Sequence, residues 1–136
     1  MVNHGFRLDI VGTADDGVVG HAVEVLDIAE VAALLAPGAA HPFTRAELAW
    51  AGARSDPERR LAARLAAKRA AARLLGGGVQ PSEVEVVRAP GGPPSVRLSE
   101  KARERLAGLG AGRLLVTLTH GRDQAAAAVL LLRGGA

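Results

Sequence analysis

Cysteine and tyrosine are absent from this chain of 136 residues, and one tryptophan with two phenylalanines leaves aromatic content at 2 %. Without cysteine there is no disulfide, no thiol nucleophile and no thiolate metal site, which fits a reducing compartment. With almost no aromatic rings there is no platform on which unpaired bases could stack, so a single-stranded nucleic-acid binder is disfavoured. No stretch reaches the roughly 18 to 20 uninterrupted apolar residues that a membrane span needs. The opening residues, Met1 to Asp9, show no basic segment followed by an apolar run, so no signal peptide is expected and the chain reads as soluble and cytoplasmic. Charge of one sign is also scarce. The net charge is +3, and the basic side is almost all arginine, with Lys68 and Lys101 the only lysines. Such a balance suits a partner bearing phosphates or an acidic face, but it is equally the default of an alanine- and arginine-rich composition.

What is present is enough for one domain with its own core. Val18 to Leu26 alternates, with Val19, His21, Val23 and Val25 on one side and Ala22, Glu24 and Leu26 on the other, as in a half-buried strand. Phe6 to Gly12 reads as an additional strand within an N-terminal extension, residues 1–17, ahead of a domain over 18–136. Ile28 to Ala36 has helical spacing. Thr44 and Glu47 form a capping-box pattern, with Phe43 and Leu48 placed as a hydrophobic staple, so a helix is predicted from Arg45 to Ala53. A long helix follows from about Ser55 to Leu75, with Ser55 and Glu58 as another capping box and Gly76-Gly77-Gly78 as its stop. Glu83 to Arg88 and Ser95 to Leu98 read as strands, Ser99 caps a helix to about Ala107, and Arg113–Thr119 with Gln124–Arg133 read as a hairpin. Clustered strands and helices in this order predict an α+β fold with an antiparallel sheet around the long central helix.

That helix is apolar on two faces, yet carries charge inside the apolar stripe. Leu61, Leu65, Ala72 and Leu75 share one stripe, and Lys68 lies in its middle. A helix apolar on two faces is buried, so Lys68 and its neighbour Arg69 require an explanation. Lys68 either snorkels to water or contacts a ligand. The glycine run is either a helix stop or a phosphate cradle, and His120 is either a hairpin-loop histidine or a site residue. Arg59, Arg60, Arg64 and Arg73 are expected to be solvated or at subunit contacts.

Three segments, Phe43-Thr-Arg-Ala-Glu-Leu48, Leu61 to Val79 with its Ala-Ala-Lys68-Arg69-Ala core, and Leu114 to His120 followed by an alanine-rich strand, resemble the holo-acyl-carrier-protein synthases in order and spacing. These are the small trimeric branch of the 4′-phosphopantetheinyl transferases, and the resemblance covers about Val18 to Leu132. It implies the 4′-phosphopantetheinyl transferase-like fold, a homotrimer with sites at subunit interfaces, and coenzyme A and acyl carrier protein as partners. The chemistry implied is transfer of phosphopantetheine from coenzyme A to a carrier-protein serine. By the same resemblance, Lys68 and His120 would lie near the coenzyme's phosphates and the reacting serine. Thr119 and Gly76, Gly77 and Gly78 are further candidate coenzyme contacts, and in an active member with a rebuilt site His21 or Glu24 would be the base. The family holds magnesium with an aspartate on the first strand and a glutamate after the helix lysine. Here those positions fall on His21 (or, with a one-residue slip, Ala22) and Arg69. A guanidinium cannot ligate a cation and an imidazole is a poor magnesium ligand, so no metal site is expected. The first helix, where the family docks its carrier protein with arginines, has Asp27 and Glu30 and no basic residue, and the family's turn lysine is replaced by Pro93. Two readings follow: a degenerate member that keeps a binding or subunit-interaction role, alone or in a heteromer with an active paralogue, or an active transferase in which Arg69 partly replaces the metal. No nucleic acid and no membrane partner is expected.

Overall fold

The structure, a computed structural model, describes residues 17–134. The expected strand at Phe6–Gly12, and with it nearly all of the N-terminal extension, lies outside the described residues. The elements are β1 (Val18–Asp27), α1 (Ala29–Leu34), α2 (Arg45–Gly52), α3 (Pro57–Leu75), β2 (Val84–Arg88), β3 (Pro94–Leu98), α4 (Glu100–Gly108), β4 (Ala111–His120) and β5 (Gln124–Arg133). The α+β class and the element order agree with the sequence reading. The strands divide into two antiparallel sheets: a three-stranded one in the order β1-β5-β4, and the β2–β3 hairpin.

α3 is the central element. From Leu61 to Leu75 it is buried except at Arg69, Arg73 and Leu74, because its many alanines let β1, β5 and β4 approach one face while α2 and β2 close on another. Its start differs from the expected Ser55. Asp56 is the N-cap and Pro57 opens the first turn, with no side-chain cap bond. Proline presets the backbone angle of a first helical residue, which moves the boundary, and Asp56 spends its carboxylate on Arg60 Nε at 2.9 Å instead. α2 does start as read. Thr44 Oγ1 accepts from the Glu47 amide and Glu47 Oε1 accepts from the Thr44 amide, completing the capping box, while Phe43 is buried with Leu48 packed against the same cluster.

β1 turns its small and polar side inward. Ala22, Glu24 and Leu26 face α3, whereas Val23 and Val25 are exposed on the opposite face. Each register position continues that outer face across the sheet, through Ala128 and Ala126 on β5 to Thr117 and Thr119 on β4, with exposed Leu115 beside Leu130. The inner face meets an alanine-lined helix at short range, so it needs small side chains. The bulkier valines are left without cover in the single chain.

Candidate functional site

Lys68 does not snorkel. Its side chain is 0 % exposed. The Nζ donates to Glu47 Oε1 at 2.8 Å and to the Val84 carbonyl at 2.6 Å. Glu47, also buried, turns its other oxygen to the Val86 amide at 2.7 Å. The carboxylate and the ammonium thus satisfy two backbone groups on the edge of β2 that a third strand would otherwise pair, and they tie α2, α3 and β2 together. Burial pushes the Lys68 ammonium below the usual lysine range, and the Glu47 charge opposes that push.

Arg69, one residue on, faces the seam between α3 and the β1–α1 segment, where Nη2 donates to Glu30 Oε2. One turn later Arg73 pairs with Glu24 and donates to the Val23 carbonyl at 2.9 Å. His21 lies on the outer sheet face with Val23 and Val25, so it cannot share a ligand with residue 69 across the seam. The residues present therefore do not fit magnesium. Arg69 is a guanidinium already bound to a carboxylate, and His21 points away from it.

The strongest positive feature was missed by the sequence reading. Arg64, expected to be solvated or at a subunit contact, is 2 % exposed and lies over the Trp50 ring with its Cζ 3.6 Å from the centroid. Arg54 and Arg60 approach the same ring at 4.3 and 5.9 Å. Cation–π attraction holds such groups, but three guanidiniums around one indole also repel one another. Burial lowers Arg64 to about 10, against the pull of Glu47, and Arg88, Arg54 and Arg60 push it the same way. Its Nε is buried with no hydrogen-bond partner among the described residues. The signal was available: Arg64 is three residues after Leu61 and four before Lys68, on the stripe that singled out Lys68.

His120 ends β4 at this same N-terminal end of α3. Its partner across the strands is Ala125 on the α3 side of the sheet, and its charge acts on Asp56. The Arg60 guanidinium beside Asp56 holds that carboxyl below the usual carboxylate range. Arg59 reaches the Arg122 carbonyl of the β4–β5 loop, which closes the corner. Thr119 occupies the outer face instead.

Gly76, Gly77 and Gly78 lie at the other end of α3, about 28 Å away along a 19-residue helix. All three have positive φ, at 63°, 62° and 82°. Arg105 Nε donates to the Leu75 carbonyl and Lys101 Nζ to the Gly78 carbonyl, both at 2.9 Å. A Cβ on Gly77 would lie 2.4 Å from Arg105 Nε. The run is a helix stop whose carbonyls are already met by cations, as expected of the negative end of a helix dipole. Among the described residues of one chain, the predicted site residues are dispersed, and His120 lies within electrostatic reach of Asp56. Lys68 is enclosed, Arg69 is at the seam, the glycines are distant, and His21 and Thr119 share the outer sheet face.

No protein-family model matches the chain. Among curated proteins, the holo-[acyl-carrier-protein] synthase of Nitratidesulfovibrio vulgaris (strain Hildenborough) is 48 % identical over 81 residues, 57 % of this chain but only 65 % of that protein's length. The holo-[acyl-carrier-protein] synthase of Moorella thermoacetica is 38 % identical over 115 residues, covering 78 % of this chain and 90 % of that one. Among solved structures, the acyl carrier protein synthase of Mycobacterium tuberculosis superposes with a TM-score of 0.68 at 32 % identity, over 86 % of this chain and 99 % of the other. An ACPS–coenzyme A complex from Chronobacterium ammoniagenes gives 0.70 at 25 % identity, over 84 % and 96 %. Identity of this extent, on a shared fold, shows that the chain belongs to the holo-acyl-carrier-protein synthase family.

Proposed function

We propose that this protein keeps the coenzyme A-binding shape of its family without magnesium-dependent transfer of 4′-phosphopantetheine to a carrier-protein serine. The observation that carries this reading is the content of the α3–β1 seam. Arg69 occupies the position where the family carries a metal-binding glutamate and is paired to Glu30, while His21 faces away from it. Placing a divalent cation beside a fixed guanidinium costs what the family's carboxylate gains. The arginines gathered on Trp50, with the Arg64 Nε without an acceptor among the described residues, supply the complementary half: a cationic cluster suited to the phosphates of a nucleotide such as coenzyme A.

The uncovered outer face of the β1-β5-β4 sheet, with Val23, Val25 and Leu115 exposed, supports a homo-oligomer such as a trimer. A heteromer with an active paralogue would use the same face. α1 carries Glu30 and follows Asp27, with no basic residue, which argues against docking the acidic helix of an acyl carrier protein there. The domain is taken to run over 18–136.

A transfer assay with coenzyme A, magnesium and a panel of apo carrier proteins tests the reading; metal-dependent turnover by this chain alone overturns it. A second reading, an active transferase in which Arg69 partly replaces the metal, is favoured by one observation. Only Nη2 of that guanidinium is engaged among the described residues, which leaves donors for a diphosphate. It expects turnover that survives EDTA and is lost in Arg69→Ala.

A further inference from the structure

We propose that the ion pairs Arg69–Glu30 and Arg73–Glu24 take the place of a carboxylate–metal–carboxylate bridge, closing the seam between α3 and the β1–α1 segment without a divalent cation. The inference rests on the reading above in one respect, the position at which the family holds its metal. Everything else follows from the geometry.

Arg69 and Arg73 are four residues apart on α3, so their guanidiniums are neighbours on one helix face and repel. Opposite them the chain supplies two carboxylates from separate segments, Glu24 on β1 and Glu30 on α1, and each takes one arginine. A magnesium between two carboxylates balances two negative charges with two positive ones. The two arginines balance Glu24 and Glu30 in the same ratio, with cations that are covalently part of the helix and cannot be removed by a chelator. Arg73 adds a bond to the Val23 carbonyl, so this cross-link reaches the β1 backbone as well as a side chain. Both pairs are partly screened. Arg69 and Glu30 are 31 % and 41 % exposed, and Arg73 and Glu24 are 55 % and 20 % exposed. Their contribution is therefore one of registration between elements more than of bulk stability.

The full chain is titrated with Mn2+ in the absence of coenzyme A, following free Mn2+ by electron paramagnetic resonance, and is melted in EDTA and in magnesium. The expected result is no stoichiometric Mn2+ binding at micromolar concentrations and a melting temperature that is the same in both buffers. Arg69→Glu, which sets a carboxylate against Glu30, is expected to lower the melting temperature by roughly 3–6 °C. The double variant Glu30→Arg with Arg69→Glu is expected to recover most of that loss. Tight binding of one Mn2+ per chain by the wild-type protein overturns the proposal, and so does a double variant no more stable than Arg69→Glu. Both residues are partly exposed, so these variants remain foldable, and Arg73→Ala with Glu24→Ala gives an independent cycle on the second pair. No coenzyme is present in these measurements. Loss of coenzyme A binding would refute the proposed coenzyme site and leave this inference standing, whereas Mn2+ binding would overturn this inference together with the metal-free part of that reading and leave the coenzyme site untouched.

Discussion

Lys68→Met separates a structural lysine from a ligand-binding one. Methionine is close in length and fills the space without charge, so the variant removes the ammonium and little else. It leaves Glu47 buried with one oxygen still held by the Val86 amide and the Thr44 amide competing for the other, and it strips the Val84 carbonyl of its donor. Breaking a buried ion pair on one side costs about 3–5 kcal/mol, because the remaining charge is stranded. Removing both charges, as in Lys68→Met with Glu47→Gln, relieves that penalty but leaves the Val84 carbonyl unpaired and, because a glutamine has one acceptor oxygen, one of the Thr44 and Val86 amides as well, at about 1–3 kcal/mol each. The double variant is therefore expected to lose less stability than Lys68→Met and Glu47→Gln summed, which is the mark of direct coupling. Urea unfolding of the two single variants and the double gives the three numbers, and hydrogen exchange at the Val86 amide reports whether β2 has come loose. A Lys68→Met protein that unfolds within about 1 kcal/mol of wild type, yet no longer binds coenzyme A, would refute the strut and restore Lys68 as a ligand contact.

Three further outcomes are expected. Arg64→Met removes a buried cation with an unpaired Nε, so stability is expected to hold or to rise by about 1 kcal/mol in thermal melts, while coenzyme A affinity falls about tenfold or more by calorimetry. Gly77→Ala combines a positive φ with a collision against Arg105 and is expected to cost about 1–3 kcal/mol in urea unfolding. Glu83 is held below the usual carboxylate range first by the Gln80 amide and then by the Ser99 hydroxyl. Its folded value is the lower one, so its stabilisation is present above the unfolded value and is lost as pH falls through the folded one. Ser99→Ala is therefore expected to lose stability at neutral pH and, below about pH 4, to narrow its gap to wild type by the Glu83 share alone, the lost cap of α4 remaining, as followed by acid unfolding curves.

The local grammar of the fold was legible where a signal is confined to a few residues. Thr44 and Glu47 announce α2 because a capping box is complete within four positions, and the glycines after Leu75 announce a stop because few other residues accept three positive φ angles in a row. Glu47's larger role was not legible, since its partners Lys68 and Val86 lie 21 and 39 residues away in sequence. Alternation in β1 gave two faces but not their order. Valines look like a core, yet the close approach of an alanine-rich helix selects the side with Ala22 and Glu24. The start of α3 was misplaced because Ser55-x-x-Glu58 matches a capping box, although Pro57 marks the first helical position and hence Asp56 as the cap. The site divided in the same way. Arg69 beside Lys68 was visible in the sequence as a charge on a buried helix, whereas the gathering of Arg54, Arg60 and Arg64 on Trp50 depends on how α2 packs against α3.

The most direct test of a coenzyme site without a metal is calorimetric titration of the full-length protein with coenzyme A, once in magnesium and once in EDTA. Binding of equal affinity in both, within about twofold, is the expected result. Binding that weakens about tenfold or more when magnesium is withdrawn, or no binding in either buffer, would contradict it.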